Sequence, residues 1–276
     1  IRFNKKLGMN VLWQPGTDHA GIATEIIVEK KLINEKKKTK NDLGREEFLK
    51  QIWKWKEKSG NKIIDQLKKL GTAVDWSISK FTLDEDCSDA VKEAFIKLFQ
   101  EGYIYQDERL VNWDPKLQTA ISDLEVNQKE VNGSLWFFKY NIEGTNDFIE
   151  VATTRPETMF GDVAIAVHPK NKAQNSYIGK KAIIPLTKRC IYIIADEYAD
   201  PSKGSGAVKI TPAHDFNDFL VAKKHNLNCI NIFDKQAKLN SSAPNKFFGM
   251  DRYDARKSII KALKENGQLS KIENNK

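Results

Sequence analysis

Residues 135–167 read LWFFKYNIEGTNDFIEVATTRPETMFGDVAIAV, and this stretch decides the fold of the second half of the chain. It consists of short aromatic or β-branched runs, each of which stops at a Gly, Asn, Asp or Pro. The same pattern recurs further along, and the predicted strands are residues 135–142, 148–154, 162–168, 181–186, 190–195, 206–211 and 228–233. Many short strands with turn signals predict a closed or strongly curved sheet. Two predicted helices, at about 215–225 and 251–265, interrupt the strands, so we expect a β-barrel-like α+β domain.

The first half of the chain has a helical period instead. Residues 44–70 place apolar side chains three and four positions apart, which predicts an amphipathic helix with a break or kink at Gly60. Apolar residues also recur on one side of a second predicted helix at about 86–101. This helix is expected to end before Gly102. A linker is expected to follow residues 112–115 and to run to about residue 131.

Length and composition exclude several classes of protein. The chain has 276 residues, of which 40% are apolar, so two domains with packed cores are expected and disorder throughout is excluded. No apolar run approaches the roughly 18–20 residues of a membrane span. The sequence opens on Ile1 and shows no charged-then-apolar leader, so no secretory signal is expected. We interpret the chain as a fragment of a cytoplasmic protein, without a membrane partner.

The cysteine spacing and the charge distribution each indicate a further property of the chain. Cys87, Cys190 and Cys229 lie far apart with no C-x-x-C pair, which predicts free thiols rather than a zinc ribbon or a disulfide scaffold. Of the formal net charge of +8, residues 133–276 carry +7, from 22 Lys and Arg against 15 Asp and Glu. A basic second half favours a polyanionic partner such as a nucleic acid.

Conventional nucleophilic and zinc sites are not indicated. The four histidines form no H-E-x-x-H or H-x-x-x-H pair, and no G-x-S-x-G motif is present. We expect no metal site.

Two polar segments of the second half are candidates for a ligand site. The first, residues 153–158 (TTRPET), places an arginine among hydroxyls at the end of a predicted strand, which suits either a simple strand end or an anion. The second, residues 209–218 (KITPAHDFND), runs from a strand into a helix. Strand alternation puts Lys209 and Thr211 on one face. Asp215 and Asp218 have the spacing of an N-cap and a capping box, and they equally suit a site at the junction.

Four motifs carry a resemblance to a known family: residues 13–24 (WQPGTDHAGIAT), 112–115 (NWDP), 153–162 (TTRPETMFGD) and 209–218. With them the sequence resembles class I aminoacyl-tRNA synthetases of the branched-aliphatic group, and most closely their valyl type, over essentially its whole length. The resemblance implies a partial Rossmann-like, α/β catalytic domain over residues 1–130 and an inserted editing domain over residues 131–272.

The same resemblance implies the activity. The complete enzyme would use ATP and Mg²⁺ to attach valine to its tRNA, and the editing domain would need no cofactor to hydrolyse threonine misattached to that tRNA. The two ATP-binding signatures of the family are not in this sequence, so we expect this chain alone not to activate an amino acid. A monomer is expected. A non-catalytic tRNA-binding module, or an editing fragment of the isoleucyl or leucyl type, are the alternatives.

Residue roles follow by matching motifs. Asp218 matches the carboxylate that holds the α-ammonium of the substrate, and Lys209, Thr211 and Asp215 match polar pocket residues for the threonine hydroxyl and the reacting water. The threonine-rich side of the pocket, near the terminal adenosine, consists of Thr153, Thr154, Arg155 and Thr158. Asp18 matches the residue that binds valine in the synthetic site. Lys203 stands where the family usually has an aromatic residue, and a lysine there suits a phosphate.

Overall fold

The computed structural model describes residues 1–275, which form two compact units. The first unit is Ile1–Asp107, and the second begins at Glu108. Residues 108–130 therefore belong to the second unit. The assignment of residues 1–130 to a catalytic domain and of 131–272 to an editing domain stays a prediction.

The first unit is mostly helical, as the sequence predicts. Two short strands, β1 (Gly16–Thr17) and β2 (Lys80–Phe81), pair in parallel. Val28, Leu32 and Phe48 form a small core between two of the helices. The helices are α1 (Arg2–Lys6), α2 (Ile22–Lys36), α3 (Lys40–Leu43), α4 (Arg45–Lys69) and α5 (Glu85–Gln100).

The predicted break at Gly60 is wrong. Helix α4 runs without interruption through 25 residues. Glycine in a helix interior costs about 1 kcal/mol relative to alanine, which is too little to stop a long helix with an amphipathic face.

We expect Gly60→Ala to stabilise the first unit. A Cβ at this position would meet nothing closer than Lys56 Cγ at 3.9 Å, so the change costs no packing and removes the backbone freedom of glycine. The expected gain is about 0.5–1 kcal/mol, measured by urea unfolding of the parent and the variant. A loss of stability would show that the helix is distorted at Gly60.

The second unit opens with a hairpin where the sequence analysis expects a linker. Strands β3 (Asn112–Asp114) and β4 (Thr119–Ile121) pair in antiparallel. Asp114 Oδ1 accepts the N–H groups of Lys116 and Leu117, and this closes the turn without the glycine that would have signalled it.

Seven further strands form one strongly curved sheet, which confirms the predicted barrel-like architecture. In the order β10-β7-β9-β8-β5-β11 each strand pairs with the next, and β6 pairs with β5. Only β7 and β9 run parallel. Strand β10 also packs against β6, so the sheet nearly closes. The strands are β5 (Gly133–Ile142), β6 (Phe148–Thr153), β7 (Ala164–Val167), β8 (Lys181–Ile183), β9 (Cys190–Ala195), β10 (Ala207–Ile210) and β11 (Leu269–Asn275).

Two differences from the predicted strands have local causes. Residues 228–233 form no strand and contribute a single bridge, from Phe233 to Leu239. The backbone donors of Ile232 and Phe233 are instead taken by side chains, His214 Nε2 and Asn231 Oδ1. Strand β11, at the end of the chain, is polar and exposed, and its composition carries no strand signal.

Two helices cover the sheet at the predicted places, α6 (Phe216–Lys224) and α7 (Arg252–Glu265). Helix α7 contributes Ile259 and Leu263 to the main core. Helix α6 packs Val221 against the other face of the sheet. Strand β7 lies between these two cores and is buried along its whole length. Within residues 1–275 no helix is both long and apolar enough to cross a membrane.

Candidate active site

The polar residues of the second unit meet where three segments end. After β6 the chain enters a 3-10 helix, Pro156–Gly161, which carries Thr158 and is followed directly by Asp162. Strand β10 carries Lys209, and α6 begins a few residues beyond it. Because β10 pairs with β7, the strand that follows Asp162, these segments are held side by side.

Lys209 lies at the centre of this group and is buried. Its Nζ donates to Thr158 Oγ1 at 2.9 Å, to Asp162 Oδ1 at 2.9 Å and to Thr211 Oγ1. The contact with Thr211 confirms that Lys209 and Thr211 share one face of the strand. An ammonium group has three N–H bonds, and here all three are used within the protein.

Asp162 is the buried counter-ion of Lys209. Its Oδ1 also accepts the hydroxyl of Thr211 at 2.6 Å, and its Oδ2 accepts the hydroxyl of Tyr140 at 2.5 Å. Burial raises the pKa of the Asp162 carboxyl, while the Lys209 ammonium and these hydrogen bonds oppose the rise. Burial, with the Asp162 charge, raises the pKa of Tyr140, so its phenol stays protonated and remains a donor.

Asp218 lies in the first turn of α6 and is only 6% exposed. Its Oδ2 accepts the backbone N–H of Thr211 at 2.8 Å. Burial raises the pKa of Asp218 to about 6, because the Thr211 N–H and the Lys209 charge only partly offset it and the carboxylates of Asp215 and Asp162 add to it. Asp218 is therefore largely ionised at pH 7 but held at an energetic cost.

Asp215 is the N-cap of α6, as predicted. Its Oδ1 accepts the N–H groups of Asn217 at 2.9 Å and Asp218 at 3.1 Å. The capping box is only half formed, because the Asp218 carboxylate turns inward to Thr211 instead of back to the N-cap. Asp215 is exposed at the rim. Burial raises the pKa of Tyr198, and the charges of Asp218 and Asp215 add to the rise.

The threonine-rich segment forms a second part of the rim. Arg155 Nη1 donates to the carbonyl oxygen of His214 at 2.7 Å, and its backbone N–H donates to Thr153 Oγ1 at 3.0 Å. The Thr158 hydroxyl donates to the Arg155 carbonyl oxygen at 2.8 Å. Thr154 is exposed. Of this segment, Thr158 contacts Lys209 directly, and Arg155 is joined to the segment before α6 through His214.

His214 is held neutral beside this rim. Its Nε2 accepts the N–H of Ile232 at 3.1 Å, and its ring meets Phe233 edge to face. Burial lowers the pKa of His214 to about 3, with the charges of Arg155 and Lys209 adding to the effect. With its acceptor nitrogen occupied, this histidine is not placed to act as a general base.

A bidentate ion pair supports the 3-10 helix from behind. Arg256 on α7 donates from Nε and Nη2 to the two carboxylate oxygens of Glu157, at 2.7 and 2.6 Å. Glu157 is 1% exposed, and it precedes Thr158 in the chain. The site is thereby tied to a helix about 100 residues further along.

Three of these residues are not predicted by the sequence motifs. Asp162 is the last residue of the TTRPETMFGD motif, yet it was given no role, because its partner Lys209 is 47 positions away. The only signal for Tyr140 is a phenol on an apolar strand, and Arg256 follows no motif. Asp18, in contrast, belongs to the first unit, where its carboxylate is exposed and lies 3.9 Å from His19 Nδ1.

The cysteines and the possible metal ligands are the other reactive groups of the described residues. The three cysteines are free, as expected. Within residues 1–275, no group of three or more His, Cys, Asp or Glu side chains has an arrangement that would hold a metal ion.

Comparison with known proteins defines the class first. The family model described as tRNA synthetases class I (I, L, M and V) matches residues 1–262, so this chain belongs to that family. The curated relatives are more particular, since they are named "Valine--tRNA ligase". The protein of Pelagibacter ubique is 52% identical over 274 residues, that of Francisella tularensis 51% over 273, and that of Mesorhizobium japonicum 50% over 297.

These alignments cover 99% of this chain but only 30–32% of the relatives, so the chain spans about a third of their length. Among solved structures, the ternary complex of Agrobacterium radiobacter K84 agnB2 LeuRS, tRNA and LeuAMS has 17% identity and a TM-score of 0.42, and it covers 97% of this chain and 40% of that one. A likeness at that level carries no argument here. The resemblance found in the sequence motifs is confirmed at the level of the family.

We expect Lys209→Met to be strongly destabilising. Methionine fills a similar volume but leaves the Asp162 carboxylate buried without its counter-ion, which costs about 3–5 kcal/mol. The control is Lys257→Met, since Lys257 is exposed and paired with Asp254 at 3.3 Å, and its loss should stay within about 0.5 kcal/mol. Urea unfolding of both variants measures the difference, and equal losses would contradict a buried ion pair.

Asp218→Asn should stabilise the protein at neutral pH. The folded-state pKa of about 6 exceeds the ordinary value of 3.8, so the stabilising contribution of Asp218 is complete below pH 3.8 and is lost as the pH rises to about 6. An amide oxygen still accepts the Thr211 N–H and carries no charge. We expect a gain of about 1–3 kcal/mol at pH 7.5 and almost none at pH 4, measured by unfolding at both pH values. A loss at pH 7.5 would contradict this account.

Proposed function

We propose that this chain is part of a valine--tRNA ligase and that its second unit hydrolyses threonine misattached to the valine tRNA. Support for the ligase comes from the relatives of that name, which align over 99% of the chain. The complete enzyme would use ATP and Mg²⁺ to attach valine to its tRNA, in the cytoplasm. The observation that carries the editing activity is the buried carboxylate of Asp218 beside the Lys209–Asp162 pair.

The polarity of the site determines which groups of a substrate it can bind. The protons of Lys209 are used within the protein, and the hydroxyl protons of Thr158 and Thr211 point to Arg155 O and Asp162. What remains for a ligand is mostly acceptors: the Asp218 carboxylate and the free lone pairs of the two hydroxyls. Such a site suits an ammonium and a hydroxyl, and a threonyl ester carries both.

Asp218 is the group we assign to the α-ammonium of the substrate. A charge-assisted hydrogen bond here replaces the water that burial has removed from the carboxylate. Its position in the first turn of α6 also favours a negative charge through the helix dipole. This contact fixes one end of the aminoacyl group, so that the ester carbonyl is held in one place.

Discrimination against valine follows from the same groups. Valine has the shape of threonine but offers a methyl group where threonine offers a hydroxyl. Bound valine would leave the acceptor oxygens of the threonines without a partner, and a buried polar group left unpaired costs about 1–3 kcal/mol. The site would then retain threonine and release valine.

Hydrolysis needs no protein nucleophile in this scheme. A water molecule held at the rim adds to the ester carbonyl, the bond from the carbonyl carbon to the ribose oxygen breaks, and that oxygen takes up a proton. Asp215, exposed on the rim beside Asp218, is placed to hold the water. Positioning and the fixed charges supply the rate enhancement. The basic surface of the second half and Lys203 supply attraction for the phosphates of the tRNA.

The test measures hydrolysis of threonyl-, valyl- and isoleucyl-tRNA by the purified chain and by Asp218→Asn. The parent should hydrolyse threonyl-tRNA fastest, with a rate that rises between pH 5 and 7 as Asp218 ionises. The rate of threonyl-tRNA hydrolysis should be about 10- to 100-fold lower in Asp218→Asn, because one charge-assisted hydrogen bond contributes about 1.5–3 kcal/mol.

Asp254→Asn is the matched control, because Asp254 is exposed in the first turn of α7 and should leave the rate unchanged. Binding of tRNA without hydrolysis of any ester would favour a non-catalytic binding module. Fastest hydrolysis of a different aminoacyl ester would favour the isoleucyl or leucyl type.

A further inference from the structure

The three hydrogen bonds of Lys209 determine how this residue can act on a ligand. Lys209 is buried, and its three N–H bonds go to Thr158, Asp162 and Thr211. It therefore has no donor left for a substrate. Its hydrogen bonds therefore affect a ligand only through the two threonine hydroxyls that it holds, beside the effect of its charge on Asp218.

Asp162 binds both Lys209 and the Thr211 hydroxyl through the same oxygen, and it acts on the Thr158 hydroxyl only through Lys209. Oδ1 accepts from Lys209 at 2.9 Å and from the Thr211 hydroxyl at 2.6 Å. The second oxygen is anchored by the Tyr140 hydroxyl at 2.5 Å, from inside the barrel. Tyr140 is completely buried and stacks on Phe138, so the phenol has no freedom to turn away.

We propose that Asp162, held by Tyr140, is a positioning residue of the site: it accepts the Thr211 proton and holds the Lys209 ammonium against Thr158 and Thr211, so that the remaining lone pairs of both hydroxyls face the ligand. This inference rests on the proposed editing function. Asp162 does not touch the substrate in this scheme. Without its charge, the hydrogen bond that holds the Thr211 proton is weaker. That proton then turns more easily toward the ligand, and the site would offer a donor where the substrate hydroxyl also brings one.

Other charged groups near the pair do not replace Asp162. The Lys209 charge acts on the Asp218 carboxylate, but Asp218 accepts the Thr211 N–H and makes no direct contact with Lys209, whose three N–H bonds go to other residues. Asp215 lies on the exposed rim. His214 is neutral and faces Ile232. The Arg189 guanidinium also interacts with the Asp162 charge, and it donates to the Phe160 carbonyl oxygen. Because it is positively charged like Lys209, it cannot act as a counter-ion in place of Asp162.

Two variants and two matched controls test the proposal in the full 276-residue chain. Asp162→Asn keeps an acceptor oxygen and the shape, and removes the charge. Tyr140→Phe keeps the charge and removes the anchor. The controls are Asp254→Asn and Tyr192→Phe, at exposed positions outside the site.

The first readout is kcat and KM for threonyl-tRNA hydrolysis between pH 6 and 10. We expect Asp162→Asn to lower kcat about 10- to 100-fold, and Tyr140→Phe about 3- to 10-fold, with KM changed less than threefold. In Asp162→Asn the buried ammonium has no counter-ion, so activity should also decline at a pH at least one unit lower than in the parent. A purely structural role would lower the folded fraction and leave the pH profile unchanged.

The second readout does not depend on hydrolysis. In a chain labelled at the lysine ε-carbon, the Lys209 signal is assigned by its absence in Lys209→Arg and followed by NMR as the pH rises. It should move at least one pH unit earlier in Asp162→Asn than in the parent or Asp254→Asn.

The outcomes separate the two proposals. A parent that does not hydrolyse threonyl-tRNA, combined with the shifted lysine signal, would refute the editing function and leave the control of Lys209 by Asp162 standing. A parent that hydrolyses the ester, with kcat, pH profile and lysine signal all unchanged in Asp162→Asn, would overturn the positioning role alone.

Discussion

One buried ion pair constrains the second unit more than any other contact. The Lys209 ammonium and the Asp162 carboxylate lie 2.9 Å apart, and both are almost completely removed from solvent. Such a pair is tolerated only if every remaining proton and lone pair finds a partner. Thr158, Thr211 and Tyr140 supply those partners. Because they come from three different segments, the need to satisfy two buried charges fixes strand β10 relative to the 3-10 helix and to strand β5.

The other buried carboxylate, Asp218, lowers the stability of the fold in this arrangement. Lys209 is shared by two buried carboxylates, and Asp162 takes the direct contact. Burial raises the pKa of Asp218 to about 6, because the Thr211 N–H and the Lys209 charge only partly offset the loss of water. A residue that only capped α6 would gain by facing solvent. Its inward orientation, at a cost to the fold, is what is expected of a group retained for binding.

The sequence predicts the parts of this unit that depend on local patterns. Alternation places Lys209 and Thr211 on one face, and the three-residue spacing of Asp215 and Asp218 predicts Asp215 as the N-cap. What it does not predict depends on contacts between distant segments. Asp162 becomes the counter-ion only when β7 and β10 pair, and residues 228–233 lose their strand because His214 captures a backbone donor. Gly60 shows the opposite limit, where a weak local preference yields to the rest of a long helix.

Helix α7 supports the site in addition to the strands, and this support makes the site rigid. Arg256 holds Glu157 through two hydrogen bonds, and the next residue, Thr158, is one of the three acceptors of Lys209. Helix α7 is itself packed in the main core through Ile259 and Leu263. The 3-10 helix that carries Thr158 is thus tied to the main core through α7. A site that distinguishes a hydroxyl from a methyl group needs that rigidity, because a pocket free to relax would satisfy its polar groups with either substrate.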